Sequence, residues 1–131
     1  MTRNYEQLCP IARTLDMIGD RWTMLILRDL FLGAAKFTEL LELSHGMPTK
    51  ILSDRLKSLE HDQIIERRIY SEHPLRAEYH LTAHGRTLEP IMSAIYAWGM
   101  KHTITPGERP TVRKRIATRA SGSRLRVKVA R

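Results

Sequence analysis

The chain has 131 residues, 42% of them hydrophobic, enough for one domain built on one core. Twenty-two Lys and Arg against fourteen Asp and Glu leave a net charge of +8, which points to an anionic partner such as nucleic acid or a membrane surface and says nothing about fold. No apolar run approaches the roughly 20 residues of a membrane-spanning helix, Met1-Thr2-Arg3-Asn4-Tyr5 does not open a signal peptide, and the single cysteine, Cys9, excludes an internal disulfide or a cysteine-rich zinc site, so the expected location is the cytoplasm.

Residues Cys9 to Ile18 read as a short first helix, with Pro10 in the first turn, where no backbone donor is needed. Ile11, Leu15 and Ile18 recur at helical spacing, and Gly19 ends the run. Asp20 then offers a side-chain oxygen to cap a second helix from Arg21 to Leu32. Trp22, Leu25, Ile26 and Leu30 make that helix apolar over much of its circumference, so it belongs at the centre of the core. Gly33 stops it. A third helix follows at about Lys36 to Leu43, then a turn at Ser44-His45-Gly46, then a fourth helix from about Pro48 to His61.

Beyond it the pattern changes. Ile64 to Tyr70 and Arg76 to Leu81 are rich in β-formers, and Ser71 to Leu75 joins them, so they read as a hairpin. Thr82 caps a last helix reaching about His102, with Pro90 expected to kink or interrupt it. Leu88, Ile91, Met92, Ile95 and Trp98 form its apolar stripe, long enough to serve the domain's own core and a second copy of the chain.

The charge is not spread along these elements. Residues 104–131 hold nine basic residues and one acid, Glu108, so this segment alone accounts for the whole +8, while residues 1–103 balance to zero. Thr105-Pro106-Gly107, Pro110 and Ser121-Gly122-Ser123 break regular structure there, and like charges repel. The expected organisation is a neutral folded body, 1–103, followed by a basic, disordered tail, 104–131. Leu125, Val127 and Val129 alternate with Arg126 and Lys128 in a strand-like period too short to change that reading.

The order of elements gives a fold class: mainly α, a winged helix-turn-helix in which the hairpin is the wing, with flanking N- and C-terminal dimerisation helices. Several motifs also resemble those of the HxlR-type transcriptional regulators of bacteria. They are Cys9-Pro10, Ile18-Gly19-Asp20-Arg21-Trp22, Phe31-Leu32-Gly33, Lys36-Phe37-Thr38-Glu39-Leu40, the run Lys50-Ile51-Leu52-Ser53-Asp54-Arg55-Leu56-Lys57, Arg76 to Thr82, and Trp98-Gly99. Order and spacing fit over roughly residues 8–102. The resemblance implies a homodimer that binds double-stranded operator DNA and regulates a neighbouring gene, most commonly as a repressor. Two positions depart from the family pattern: Met47-Pro48 opens the fourth helix where Ser or Thr is usual, and Asp62-Gln63 follows it where Gly is favoured.

On a helical wheel of the fourth helix, Ile51, Leu52, Leu56 and Leu59 face the core. Lys50 and Lys57 lie nearly opposite, flanked by Thr49, Ser53 and Asp54, and this is the face a major groove would meet. Lys50 donates to guanine acceptors in that reading. Asp54 accepts from cytosine amino groups and repels phosphate. Arg55 falls on the apolar side and reads as a structural residue paired with an acid. Lys36 and Thr38 are expected on phosphate, helped by free N–H groups at the start of the third helix. Arg76 at the wing base and His73 at its tip are in reach of sugar-phosphate or minor groove, although for His73 a merely solvated loop residue is the favoured reading. Any surface helix shows Lys, Ser and Asp; the order of elements and the resemblance favour the DNA-reading assignment.

Cys9 carries a further expectation from the resemblance, because some members sense oxidants or electrophiles through a cysteine at this position. A helix N-terminus favours a thiolate. The alternative is a small, partly buried residue without a sensing role. No enzyme signature is present: no Walker-type loop, no His-Glu-x-x-His, no Cys-x-x-Cys and no Gly-x-Ser-x-Gly. His80 and His84 fall on a strand and a helix start and share no helical face, so no metal or cofactor is expected. Two other readings stay open: a winged-helix protein-interaction module, and a sequence-blind nucleic-acid binder acting through the basic tail.

Overall fold

A computed structural model describes residues 8–44 and 46–110. The strand-like period at 125–129 and most of the basic tail lie outside them. The element order is α1 (Pro10–Ile18), α2 (Arg21–Phe31), α3 (Phe37–Leu43), α4 (Thr49–His61), β1 (Ile65–Glu72), β2 (Leu75–Leu81), α5 (Ala83–Arg86) and α6 (Glu89–His102). This is the winged helix-turn-helix arrangement. Among the described residues, no helix is long and apolar enough to cross a membrane.

Helix α2 is the central element. Asp20 caps it by accepting from the Thr23 N–H at 3.0 Å. Ile26, Leu27, Leu30 and Phe31 are all buried, and they meet Leu40 of α3 and Leu52, Leu56 and Leu59 of α4 in one cluster. Gly33, at φ 107°, supplies the left-handed turn that ends α2. Asp29 is fully buried beside it; its carboxylate accepts from Arg28 Nε at 3.0 Å and from Ser44 Oγ at 3.4 Å, tying the end of α3 to the end of α2.

Both unusual positions around α4 leave a mark. Pro48, not Met47, is the cap residue, and its side chain makes no capping hydrogen bond. At the other end Gln63 adopts φ 61°, the left-handed conformation that glycine takes more cheaply. The turn closes because Gln63 N donates to Glu60 O and Ile64 N to Leu59 O, both at 3.0 Å. The chain then enters β1 with Ile64 and Ile65 buried.

The wing is longer than its local sequence implies. The strands run antiparallel from Ile65↔Leu81 to Glu72↔Leu75, with a bulge between Ile69 and Ser71, so Ser71, Glu72 and Leu75, expected in the connection, belong to the ladder. The bond between His73 and Pro74 at the tip is cis. A third segment joins the base of the wing: Tyr79 N donates to Ala35 O at 2.7 Å, and Lys36 forms an isolated bridge with Glu78.

The last helix is interrupted, not merely kinked. Thr82 caps α5, accepting from the Gly85 N–H at 2.9 Å. Gly85 lies against the chain at Ile64, where an added Cβ would stand 2.1 Å from the Ile64 carbonyl oxygen. The helix turns at Thr87–Leu88 and restarts with Pro90 in the first turn of α6.

The stripe expected to mediate dimerisation therefore divides. Met92 is buried in the core of the single chain and half-buried Leu88 packs against that core, so these two serve the domain's own packing, one of the two uses expected of the stripe. Ile91, Ile95 and Trp98, spaced four and three apart, are 38%, 53% and 62% exposed and share the outward side of α6. On α1 only Ile18 is buried; Ile11 and Leu15 are exposed.

Candidate nucleic-acid interface

Helix α4 presents two sides set by its sequence. Leu52, Leu56 and Leu59 fix the inward side, with Ile51 half-buried beside them. Thr49, Lys50 and Lys57 are exposed, and Ser53 and Asp54 are half-buried between them. Lys50 Nζ lies 3.1 Å from Asp54 Oδ2, one turn along the same side, so the ammonium is held over the helix surface. With the Lys50 side chain so exposed, this pair is weak and gives way to a stronger acceptor.

Arg55 has the structural role expected from its place on the wheel. Its Nε donates to Asp20 Oδ1 at 3.1 Å, across to the start of α2. Burial pushes the Asp20 carboxyl up, but hydrogen bonds from the Thr23 hydroxyl and N–H and from the Arg55 guanidinium outweigh it and hold the group below its ordinary value of 3.8.

At the start of α3 the outcome is mixed. Thr38 is exposed and Lys36 half-buried. The N–H groups there are not all free as expected: the Glu39 carboxylate accepts from Lys36 N at 2.9 Å and from Ala35 N at 3.1 Å. That places a negative charge beside the expected phosphate contact. The Lys36 ammonium instead extends over the Tyr70 ring, 5.5 Å from its centre, and so faces the wing. Tyr70 is exposed and was no sequence candidate. Its β-forming character is legible locally, but its meeting with Lys36 depends on residues more than thirty apart in the chain.

On the wing, His73 is exposed at the tip; Arg76, expected at the base, is exposed beside the tip instead, because the longer ladder pairs it with Ser71. Nearer the base, Arg68 pairs with Glu66, and His80 Nε2 lies 3.0 Å from Glu78 Oε1, so much of that charge is matched within the wing. The structure thus joins Lys36 to the wing and Lys50 to Asp54, and leaves Thr38, Thr49, Lys57, His73 and Arg76 open at the surface.

Cys9 caps α1. Its Sγ accepts from the Ala12 N–H at 3.5 Å, and the residue is half-buried. Among the described residues, no group of three or more His, Cys, Asp or Glu side chains is arranged to hold a metal ion.

Comparison with known proteins places this geometry. The HxlR-like helix-turn-helix family model matches residues 17–106. The HTH-type transcriptional regulator sll1512 of Synechocystis is 41% identical over 92 residues, 70% of this chain and 68% of that one. Among solved structures, the transcription factor PA1607 is 36% identical with a TM-score of 0.73, covering 96% of this chain and 85% of that one. The redox regulator HypR in its reduced form is 34% identical with a TM-score of 0.69, covering 72% of this chain and 94% of that one. These are families and folds of transcriptional regulators, not of enzymes, and the chain belongs to the HxlR-like helix-turn-helix family of DNA-binding transcriptional regulators.

Proposed function

We propose that this regulator is a repressor that binds a two-fold operator as a homodimer, with α4 in the major groove and the β1–β2 wing on the flanking backbone. The observation that carries the reading is the outward side of α4: Thr49, Lys50, Ser53, Asp54 and Lys57 offer donors and acceptors to base edges while the leucines opposite anchor the helix. Lys36, Thr38, His73 and Arg76 serve as sugar-phosphate contacts that set register. Ile91, Ile95 and Trp98 on the outward side of α6, and Ile11 and Leu15 exposed on α1, supply the pairing surface, because large apolar side chains at helical spacing are costly to leave in water. Two-fold pairing sets the half-sites roughly 10 bp apart, or a multiple of that.

The test is a gel-shift titration at fixed salt on a duplex selected from random sequence. Lys50→Ala should weaken binding severely while the protein remains a folded dimer. Unchanged affinity would remove Lys50, and with it the assigned face, from recognition.

A second, regulatory reading is favoured by Cys9, a half-buried thiol capping α1, together with the likeness to a redox regulator. Oxidation of a lone thiol leads to an intersubunit disulfide, a small-thiol adduct or a sulfur oxide, each of which would disturb the α1 cap. DNA binding before and after diamide separates the cases. Loss in the wild type but not in Cys9→Ser supports sensing; an equal response in both excludes Cys9 as the switch.

A further inference from the structure

Asp20 stands where three parts of the molecule meet. It directly follows Gly19, which ends α1, and it caps α2. Its Oδ1 accepts both the Thr23 N–H at 3.0 Å and Arg55 Nε at 3.1 Å, and its Oδ2 accepts the Thr23 hydroxyl. Arg55 belongs to α4, 35 residues further along the chain. The leucines of α4 pack by apolar contact, which resists separation but resists sliding or rolling poorly; the hydrogen bond from Arg55 is directional and fixes the helix about its own axis.

The joint before Asp20 has little slack. Gly19 N donates to Leu15 O at 2.7 Å, and a Cβ at Gly19 would stand 2.3 Å from the same oxygen. Two residues, one of them held by α1 and the other by α2, connect these helices. Meanwhile α1 anchors to the core only at its last turn, through buried Ile18 and half-buried Met17, and leaves Ile11 and Leu15 exposed. Its first two turns are therefore free to take their orientation from whatever covers Ile11 and Leu15.

We infer that Asp20 and Arg55 are positioning residues: the pair transmits the orientation that dimerisation gives α1 to the DNA-facing helix α4, and so sets the distance between the two α4 helices of a dimer. This rests on the proposed assignment of α4 to DNA and of α1 with α6 to pairing. Both side chains are partly exposed, so the pair adds little to stability; its effect is on geometry.

The experiment measures spacing selectivity. A duplex selected from random sequence by the full-length wild type is rebuilt with its half-sites moved one and two base pairs closer or further apart. Wild type should prefer the selected spacing sharply. Asp20→Asn keeps an acceptor for Thr23 but removes the charge facing Arg55. It should lose about 5- to 50-fold at the selected spacing and much less at the others, so that the profile flattens. Arg55→Ala should flatten it in the same way, Arg55→Lys should restore part of the selectivity, and the double variant should be no worse than Arg55→Ala alone.

The dimer mass should stay the same throughout. Variants whose affinity falls by one common factor at every spacing would overturn the inference, because a purely stabilising pair behaves that way. Should Asp20→Asn fail to fold by circular dichroism, the comparison of Arg55→Lys with Arg55→Ala decides by the same criterion. A wild type that selects no sequence would overturn the DNA-reading assignment and this inference with it, whereas a selective wild type with parallel variant profiles overturns the inference alone.

Discussion

Replacing Ile95 with alanine tests the pairing surface directly. In the monomer Ile95 is 53% exposed, so about half of its side chain remains to be buried by a partner. Fully burying an isoleucine is worth about 1.5–3 kcal/mol, so truncation should remove about 1 kcal/mol of association per protomer. Two-fold symmetry applies the loss twice, about 2 kcal/mol in all, which is about a thirtyfold weaker dimer. Monomer stability should hardly move, since alanine is a better helix former than isoleucine and offsets what little packing is lost.

Met92→Ala provides the contrast. Met92 is 7% exposed and lies in the monomer core, so truncation should cost about 2–5 kcal/mol of folding stability. Sedimentation equilibrium over a range of concentrations reads the first effect, and thermal denaturation reads the second. A dimer dissociation constant for Ile95→Ala within threefold of wild type, or a monomeric wild type at micromolar concentration, would refute the assignment of this face.

Further outcomes are expected elsewhere. Gln63→Gly should raise the melting temperature by a few degrees: relief of the left-handed strain, about 1–2 kcal/mol, exceeds the extra backbone entropy of glycine, about 0.5–1 kcal/mol; a fall on calorimetry would contradict this account of the turn. The Asp20 carboxyl is held below its ordinary value, so its contribution to stability is present above the unfolded pKa, near 4, and is lost as pH falls through the lower folded value. Asp20→Asn should accordingly flatten the acid side of the stability profile, read as urea midpoints at pH 6 and pH 3, and an unchanged profile would show the carboxylate to be inconsequential. Removing residues 104–131 should lower the slope of log affinity against log salt by about 0.9 for each phosphate that the segment neutralises, while leaving sequence preference intact; an unchanged slope would mean that this basic segment does not touch DNA.

What the sequence made legible follows from local chemistry. Asp20, Gly33 and Thr82 mark helix ends because a capping oxygen or a left-handed glycine acts over three or four residues. Arg55 on an apolar helix side had to find an acid, but that the acid is Asp20 depends on how α4 lies against α2. The division of α6 between Met92 and Ile91 could not be read from periodicity, since adjacent apolar residues differ only in which neighbour each meets. Likewise Ser71, Glu72 and Leu75 look like loop by composition and become strand through cross-strand pairing, and the third segment at the base of the wing joins residues about forty apart. On the candidate DNA side, Lys50 and Lys57 were legible from the wheel; the Glu39 carboxylate on the α3 N–H groups and Tyr70 under Lys36 were not.

The bond from Tyr79 N to Ala35 O has an evolutionary consequence. It is a main-chain bond, so substituting the side chains on either side does not remove the hydrogen-bonding groups themselves. The wing's attachment is thereby uncoupled from the identity of the residues it displays. On the proposed reading of the wing as a DNA contact, its tip, from Glu72 to Arg76, can change in sequence without loss of this bond, so a preference for flanking DNA can alter without a redesign of the domain that carries it.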